Sequence, residues 1–375
     1  VGTSALLSRF AGAGQFKRGS TALSTLLQFA LFLSLPLMGL WYFFASNVYV
    51  WFGTATEVAI LGEEYVQTLT WMLPFVFTKL VFVTALNAAG DTKTPMKIKI
   101  ASIWLNIFLN YLFIFGNYGF PQLGVMGAAV GTVIVNILEL LVYLWLYLRG
   151  KTPYIPAWHF SRSLLDRALK VGIPASFERI LTYGSFMLFT MIIAHYGTEV
   201  LAGYQIGLRV EGLAFMPGIG FTIAAMALMG QGLGAKKPEQ AKEDVLLVLK
   251  YTVGFMFILS FFMIFMPEKI VWLFTDDTQT IEEASLYLRI VGLSQIPLAY
   301  NFVLSGALRG AGDTKRTLKI NLVSLWLVRI IPAFMLSWYF ESILLVYIAM
   351  ISDTFVKAVW LWITFDKGKW QKIKV

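Results

Sequence analysis

The chain has 375 residues, 58% hydrophobic and 14% charged, with a mean hydropathy of +0.71 and a net charge of +9. Soluble chains run about 45–50% apolar and about 25% charged, so a soluble globular domain is excluded. The lack of cysteine removes disulfides, thiolate metal sites and cysteine nucleophiles, and the two histidines, His159 and His195, have no ligand-like spacing.

Apolar runs of about 20 residues, bounded by charge or by Gly and Pro, predict ten full membrane spans. In chain order they are 20–44, 64–87, 94–115, 124–148, 171–195, 200–231, 241–266, 281–308, 317–339 and 342–365. Residues 1–14 read as the second half of a further span, and no cleavable signal peptide is legible. The expected architecture is an all-α polytopic membrane protein of two pseudo-symmetric bundles, residues 1–150 and 171–375. Between them, 151–170 is a linker whose stretch SRSLLDRALK (161–170) reads as an amphipathic helix on the inner membrane surface. Helix breaks are expected at Pro36, Pro74, Pro217, Pro297 and Pro332, with Pro217-Gly218 the strongest hinge signal.

Basic residues alternate sharply between successive loops. One side collects 22 of the 30 Lys and Arg, from Arg9, Lys17 and Arg18 through Arg149, Lys151, Arg162, Arg167 and Lys170 to Lys367, Lys369, Lys372 and Lys374. The opposite loops hold Lys269 beside Glu57, Glu63, Asp276, Asp277 and Glu283. By the positive-inside rule the basic side is cytoplasmic. That predicts a cell inner (plasma) membrane protein with both ends and the 150–170 loop inside. The positive charge is thus a topology signal, not a nucleic-acid footprint.

The chain repeats itself. ALNAAGDTKTPMK (85–97) returns as ALRGAGDTKRTLK (307–319), eight of thirteen positions identical at a shift of 222 residues. The same shift pairs Gly12-Ala13 with Gly234-Ala235, Tyr65 with Tyr287, and Ser102-x-Trp104-Leu105 with Ser324-x-Trp326-Leu327. Duplicated halves in a chain this apolar point to a transporter with a site between the halves. The GAGDTK loops themselves are expected to close hairpins and anchor them inside, not to bind phosphate.

Polar groups within the spans are the candidate site. Asn106 and Asn110 share a helix face, and Thr132, Asn136 and Glu139 form a polar stripe on the next helix at comparable depth. Their oxygens could coordinate a small hard cation, Na⁺ at Asn106, Asn110 and Thr132 being the metal expected. The bland alternative is interhelical hydrogen bonding, worth about 0.6 kcal/mol each. In the second half Glu178, Arg179, Arg209, Glu211, Arg329, Asp353 and Lys357 are charged inside spans and must neutralise one another, Asp353 with Lys357 at i,i+4. Such a network reads either as a static lock or as a proton or ion relay. Phe186, Met187, Phe189, Met191, Met216 and Met226 could make a deformable drug-binding wall or be ordinary packing. Asn106 and Asn110 fall opposite Val328 and Pro332 in the repeat, so the two halves are expected to do different jobs.

Several stretches resemble multidrug and toxin extrusion (MATE) transporters: GTSALLSRFAGAG (2–14), NIFLNYLFIFG (106–116), FPQLGVMGAAVGT (120–132), GIPAS (172–176), AGYQIGLRVEGLAFMP (202–217), GQGLGA (230–235) and GALRGAGDTK (306–315). They span the chain in family order, and the C-terminal half is most similar to the DinF-like branch. The resemblance implies twelve helices in two six-helix bundles around a V-shaped cavity. It implies export of cationic amphipathic drugs in exchange for Na⁺ or H⁺. Positions matching Asn106, Asn110 and Thr132 line the family's ion-linked pocket, and this branch carries acid and base at the positions of Asp353, Lys357 and Arg329. The chain starts inside the family's second helix and lacks the first, which bears the coupling-ion Asp; a fragment of a longer protein is the preferred reading.

The leading functional expectation is an ion-coupled antiporter for organic cations or metabolites, acting as a monomer among membrane lipids with no cofactor beyond the coupling ion. A lipid-linked-oligosaccharide flippase of the same superfamily is the nearest rival, kept alive by Arg179, Arg209 and Arg329. A non-transporting scaffold fits poorly with duplicated halves carrying buried charge. No nucleophile–base–metal constellation suggests an enzyme.

Overall fold

The computed structural model describes residues 1–51 and 55–373, so Lys374 of the basic set lies outside the described residues. Among these residues every regular element is helical. In chain order they are α1 (Gly2–Gly12), α2 (Phe16–Trp51), α3 (Thr56–Thr70), α4 (Leu73–Ala88), α5 (Lys93–Phe115) and α6 (Val125–Leu148). There follow α7 (Arg162–Ala194), α8 (Thr198–Gly234), α9 (Pro238–Phe265), α10 (Pro267–Val271), α11 (Thr278–Leu293) and α12 (Gln295–Gly310). Last come α13 (Thr314–Val323), a π-helical turn pair (Ser324–Ile330), α14 (Ile331–Phe340) and α15 (Ile343–Asp366).

Among the described residues eight helices are long and apolar enough to cross a membrane, and counting each of two bent helix pairs as one span brings the number to ten, as the sequence predicts. The bent pairs are α3 with α4, at 49°, and α11 with α12, at 55°. Pro74 and Pro297 stand in the first turns of α4 and α12, where a residue without an N–H forfeits no helical hydrogen bond. Pro332 opens α14 directly after the π-helical turns.

Two expectations are corrected here. Pro36 and Pro217 do not break their helices: α2 and α8 run on through them. At the expected hinge, the Phe302 ring fills the space a Cβ on Gly218 would take, 2.4 Å away. The Thr222 hydroxyl lies 2.9 Å from the Gly218 carbonyl oxygen and 3.1 Å from that of Phe302, so this segment is packed and bonded. The amphipathic stretch 161–170 is not a separate surface helix either. It forms the first turns of the 33-residue α7, because no Pro or capping residue separates Lys170 from Val171.

The chain forms two compact units, one of residues 14–166 and one of 1–13 with 167–375. The sequence division had placed α1 with the helices that follow it. In the structure α1 packs on α8. Within the larger unit the interior centres on Tyr204, Tyr287 and Tyr347, fully buried and stacked edge to face with ring centroids 5.3 Å apart in each pair. Outward faces of both units are apolar, with Phe32, Phe43, Trp104 and Trp338 exposed. Such faces require lipid rather than water.

The repeat is visible in the helix boundaries. Shifting α4 by 222 residues gives the limits of α12, Leu73 falling on Gln295 and Ala88 on Gly310. It also appears in packing. A Cβ on Gly12 would stand 1.9 Å from the Gln231 carbonyl oxygen, and one on Gly234 would stand 2.1 Å from that of Arg9. Gly12 and Gly234 are repeat mates, and so are Arg9 and Gln231. Between them Ser8 meets its own mate Gly230, where an added Cβ would stand 1.7 Å from the serine Oγ. The α1–α8 crossing therefore has local twofold symmetry, and only glycine lets the two backbones come so close.

Candidate functional sites in the two units

In the smaller unit α5 and α6 pack along each other and bring the predicted polar residues together. Asn110 Nδ2 donates to Asn106 Oδ1 (3.3 Å), Asn106 Nδ2 donates to Thr132 Oγ1 (3.4 Å), and Thr132 donates to the Ala128 carbonyl (2.9 Å). Asn110 Oδ1 is buried and accepts no hydrogen bond. It lies where a side chain on Gly131 would be, 2.4 Å from an ideal Cβ, so the glycine creates its berth. Buried oxygens without a donor are uncommon and call for an explanation. The donor set here is neutral oxygen, which suits a monovalent hard cation such as Na⁺ and offers no carboxylate to carry a proton.

Glu139, expected in the same cluster, belongs to a different one, and Asn136 links the two, its Nδ2 donating to the Thr132 carbonyl at 2.8 Å. Lys79 of α4 bridges these two residues, donating to Asn136 Oδ1 (2.5 Å) and pairing with Glu139, which also takes Lys99 at 3.3 Å. Glu139 is 4% exposed and Lys79 13%. An ammonium already sits where a coordinated cation would have to go. Sequence reasoning missed Lys79, although the signal was present: it is the lone cation of span 64–87 and Glu139 the lone charge of span 124–148. Isolated opposite charges inside lipid must find each other.

In the larger unit the seven predicted charges divide into groups. Asp353 and Lys357 pair at 2.8 Å across one turn of α15, as their spacing requires. Buried Glu178 on α7 is held by Arg309 of α12, by Asn321 of α13, and by the Thr317 hydroxyl at 3.3 Å. Glu211 on α8 accepts from Tyr287 at 2.6 Å. Arg329 lies over the rings of Phe186 (5.2 Å) and Phe189 (4.8 Å). Aromatic faces thus seat Arg329, with the Glu211 carboxylate within electrostatic reach of it. Arg179 and Arg209 are exposed and join none of the ion pairs among the described residues, so full mutual neutralisation does not occur. Arg309, Asn321 and Thr317 were not foreseen, because Arg309 reads from sequence as a loop cation.

The π-helical turns carry Arg329. Such turns re-aim side chains and occur often at functional sites. The apolar wall read from sequence is divided: Phe189 and Met226 are buried, whereas Met187, Met191 and Met216 are exposed. Met191 does line an apolar cavity of about 450 Å³ with His195, Trp326 and Phe334.

A family model described as MatE matches residues 1–112 and 174–335. A probable multidrug resistance protein NorM of Thermotoga maritima is 33% identical over 329 residues, covering 84% of this chain and 69% of that protein. The probable multidrug resistance protein YoeA of Bacillus subtilis is 28% identical over 347 residues, covering 90% of this chain and 74% of that protein. Among solved structures, the chain is similar to a Pyrococcus furiosus transporter of the MOP superfamily, described as having a binding pocket of reverse polarity that suggests a different function. The TM-score is 0.91 at 20% identity, covering 99% of this chain and 84% of that one. The Vibrio cholerae MATE transporter VcmN in its bent form gives a TM-score of 0.89 at 19% identity, covering 98% and 83%. With ten apolar crossings, helix limits that repeat, and a match over most of its length, this multi-pass membrane protein belongs to the MatE family.

Proposed function

We propose that the protein is a secondary active antiporter, not an enzyme, that exports organic cations, drugs or metabolites by alternating access in exchange for Na⁺ or H⁺. Its membrane would be the cell's inner one, with both ends and the 150–170 loop in the cytoplasm, where the basic loops put them. The curated relatives carry multidrug-resistance names, which supports a small-molecule substrate. One observation carries the coupling assignment: each repeat holds a buried side-chain oxygen with no donor, Asn110 Oδ1 and Asp353 Oδ1. Asn110, with Asn106 and Thr132, is the Na⁺ candidate. Asp353 with Lys357, and Glu178 with Arg309, are the groups able to exchange a proton.

The test is efflux of a fluorescent cation from reconstituted vesicles under separate Na⁺ and H⁺ gradients. Gradient-driven efflux that weakens in Asn110→Ala or Asp353→Asn supports the reading. Efflux under neither gradient sinks the antiporter, and unchanged efflux in both variants sinks the site assignment. The flippase reading draws on the exposed Arg179 and Arg209, which would suit an anionic substrate. It predicts movement of a lipid-linked sugar with no ion gradient.

A further inference from the structure

At the basic end of the larger unit, a cavity of about 610 Å³ opens between the start of α7 and the GAGDTK loop that precedes α13. Arg167 and Lys170 of α7 face Lys315 across it, and Ile373 closes one side. The wall is built. Arg9 donates to the carbonyls of Ala311 (2.9 Å) and Ile373 (2.8 Å), tying the loop and the C-terminal segment to α1. Arg167 lies over the Phe10 ring at 5.7 Å, and it repels Arg9 electrostatically.

Asp313 is the one carboxylate among the described lining residues, and its Oδ2 accepts no hydrogen bond. It pairs with Arg316 at 2.9 Å, and burial pushes its carboxyl above the usual aspartate range, with Arg316 partly opposing. In the first repeat the mate Asp91 behaves differently, accepting from the Thr94 N–H at 3.0 Å. The N-terminal end of α13 adds the positive pole of a helix. Thr314 in that first turn lines the cavity, is 1% exposed, and its hydroxyl has no hydrogen-bond partner.

We propose that this cavity binds a phosphate group, either the headgroup phosphate of an anionic lipid or a soluble phosphate compound. Lys170 and Lys315 supply the charge, and Thr314 with the first turn of α13 supplies directed donors. The sequence analysis expected GAGDTK to close a hairpin and not to bind phosphate; the site arises because α7 brings Lys170 against the second copy of the loop. The proposal does not depend on the transport reading.

Thermal unfolding of the chain in lipid nanodiscs tests it. Phosphatidylglycerol raises the unfolding midpoint relative to phosphatidylcholine if the phosphate is a lipid's. Inorganic phosphate added to phosphatidylcholine discs, at matched ionic strength, raises it if the phosphate is soluble. In Lys170→Gln/Lys315→Gln the apparent affinity for the active probe falls on the order of tenfold or more, as losing two surface charges requires. Lys93→Gln/Lys97→Gln, which alters the first copy of the loop, keeps the wild-type response. The double variant must match wild type in phosphatidylcholine without phosphate; if it does not, Lys170→Gln alone is read, with a loss of about fivefold. No shift with either probe overturns the site, and so does a shift that survives equally in the α7 and first-copy variants.

Discussion

Asn110 on α5 fills the side-chain space of Gly131 on α6, its Oδ1 lying 2.4 Å from where a Cβ on the glycine would stand. The mate of Asn110 is Pro332, which has no polar side chain to offer. Buried oxygens without a donor occur in both halves, the neutral Asn110 Oδ1 in the first and the acidic Asp353 Oδ1 among those of the second. The expectation of different jobs for the two halves gains a physical form: an amide can coordinate a cation, and only the acid can also carry a proton.

If Gly131 matters only as the berth for Asn110, Gly131→Ala should weaken ion-driven efflux as much as Asn110→Ala does. The double variant should be no worse than either single one, because both remove the same interaction. Additive losses in vesicle efflux would separate the two residues.

Lys79→Met should destabilise the smaller unit by about 3–5 kcal/mol, since Glu139 would keep a buried charge with only exposed Lys99 to answer it. Replacing both, as Lys79→Met with Glu139→Leu, should recover most of that loss. Chemical denaturation in detergent measures both. An unaltered midpoint in Lys79→Met would show the pair to be energetically idle.

Arg309→Met should cost a similar amount, about 3–5 kcal/mol, by stranding Glu178 among Asn321 and Thr317. Arg309→Met with Glu178→Gln should be milder. The same unfolding experiment reports it, and equal losses in the single and double variants would contradict the assignment.

Gly12→Val and Gly234→Val should each force α1 and α8 apart, because the new Cβ would stand about 2 Å from a backbone carbonyl that cannot rotate away. Gly254→Ala, where nothing lies within 4 Å of the added atom, is the control and should be near neutral. Proteolysis rates at the α1 segment would distinguish them.

Asp277 caps α11, accepting from the Thr280 N–H at 2.9 Å, and bonds to Thr280 hold its carboxyl below the usual aspartate range. A lowered folded value means the cap stabilises at pH above the ordinary aspartate pKa and is lost as pH falls through the folded one. Hydrogen exchange in the first turn of α11 should therefore be faster in Asp277→Ala than in wild type at neutral pH. The two should converge in acid. A difference that persists at low pH would assign the protection to something else.

Much of the fold was legible because lipid imposes simple rules: the ten crossings and the doubled pattern follow from run length and register alone. The pairing of Asp353 with Lys357 was legible for the same reason, since one helix sets both positions. Partners on different helices were not. Lys79 and Glu139 stood out as the lone cation and the lone charge of their spans, but which charge meets which, and that Arg309 meets Glu178, follows from how α4 packs on α6 and α12 brings Arg309 to α7, which a one-dimensional pattern does not encode. The π-helical turns under Arg329 left no mark either, since Ser324 to Ile330 has ordinary helical composition. Pro217 misled in the other direction, because α8 runs on through it with the Phe302 ring packed against Gly218.

The crossing built on Ser8, Gly12, Gly230 and Gly234 presents one surface to a rotated copy of itself, which is the signature of an isologous contact between identical subunits. Two separate polypeptides, each the length of a single repeat, could meet there through the same four positions.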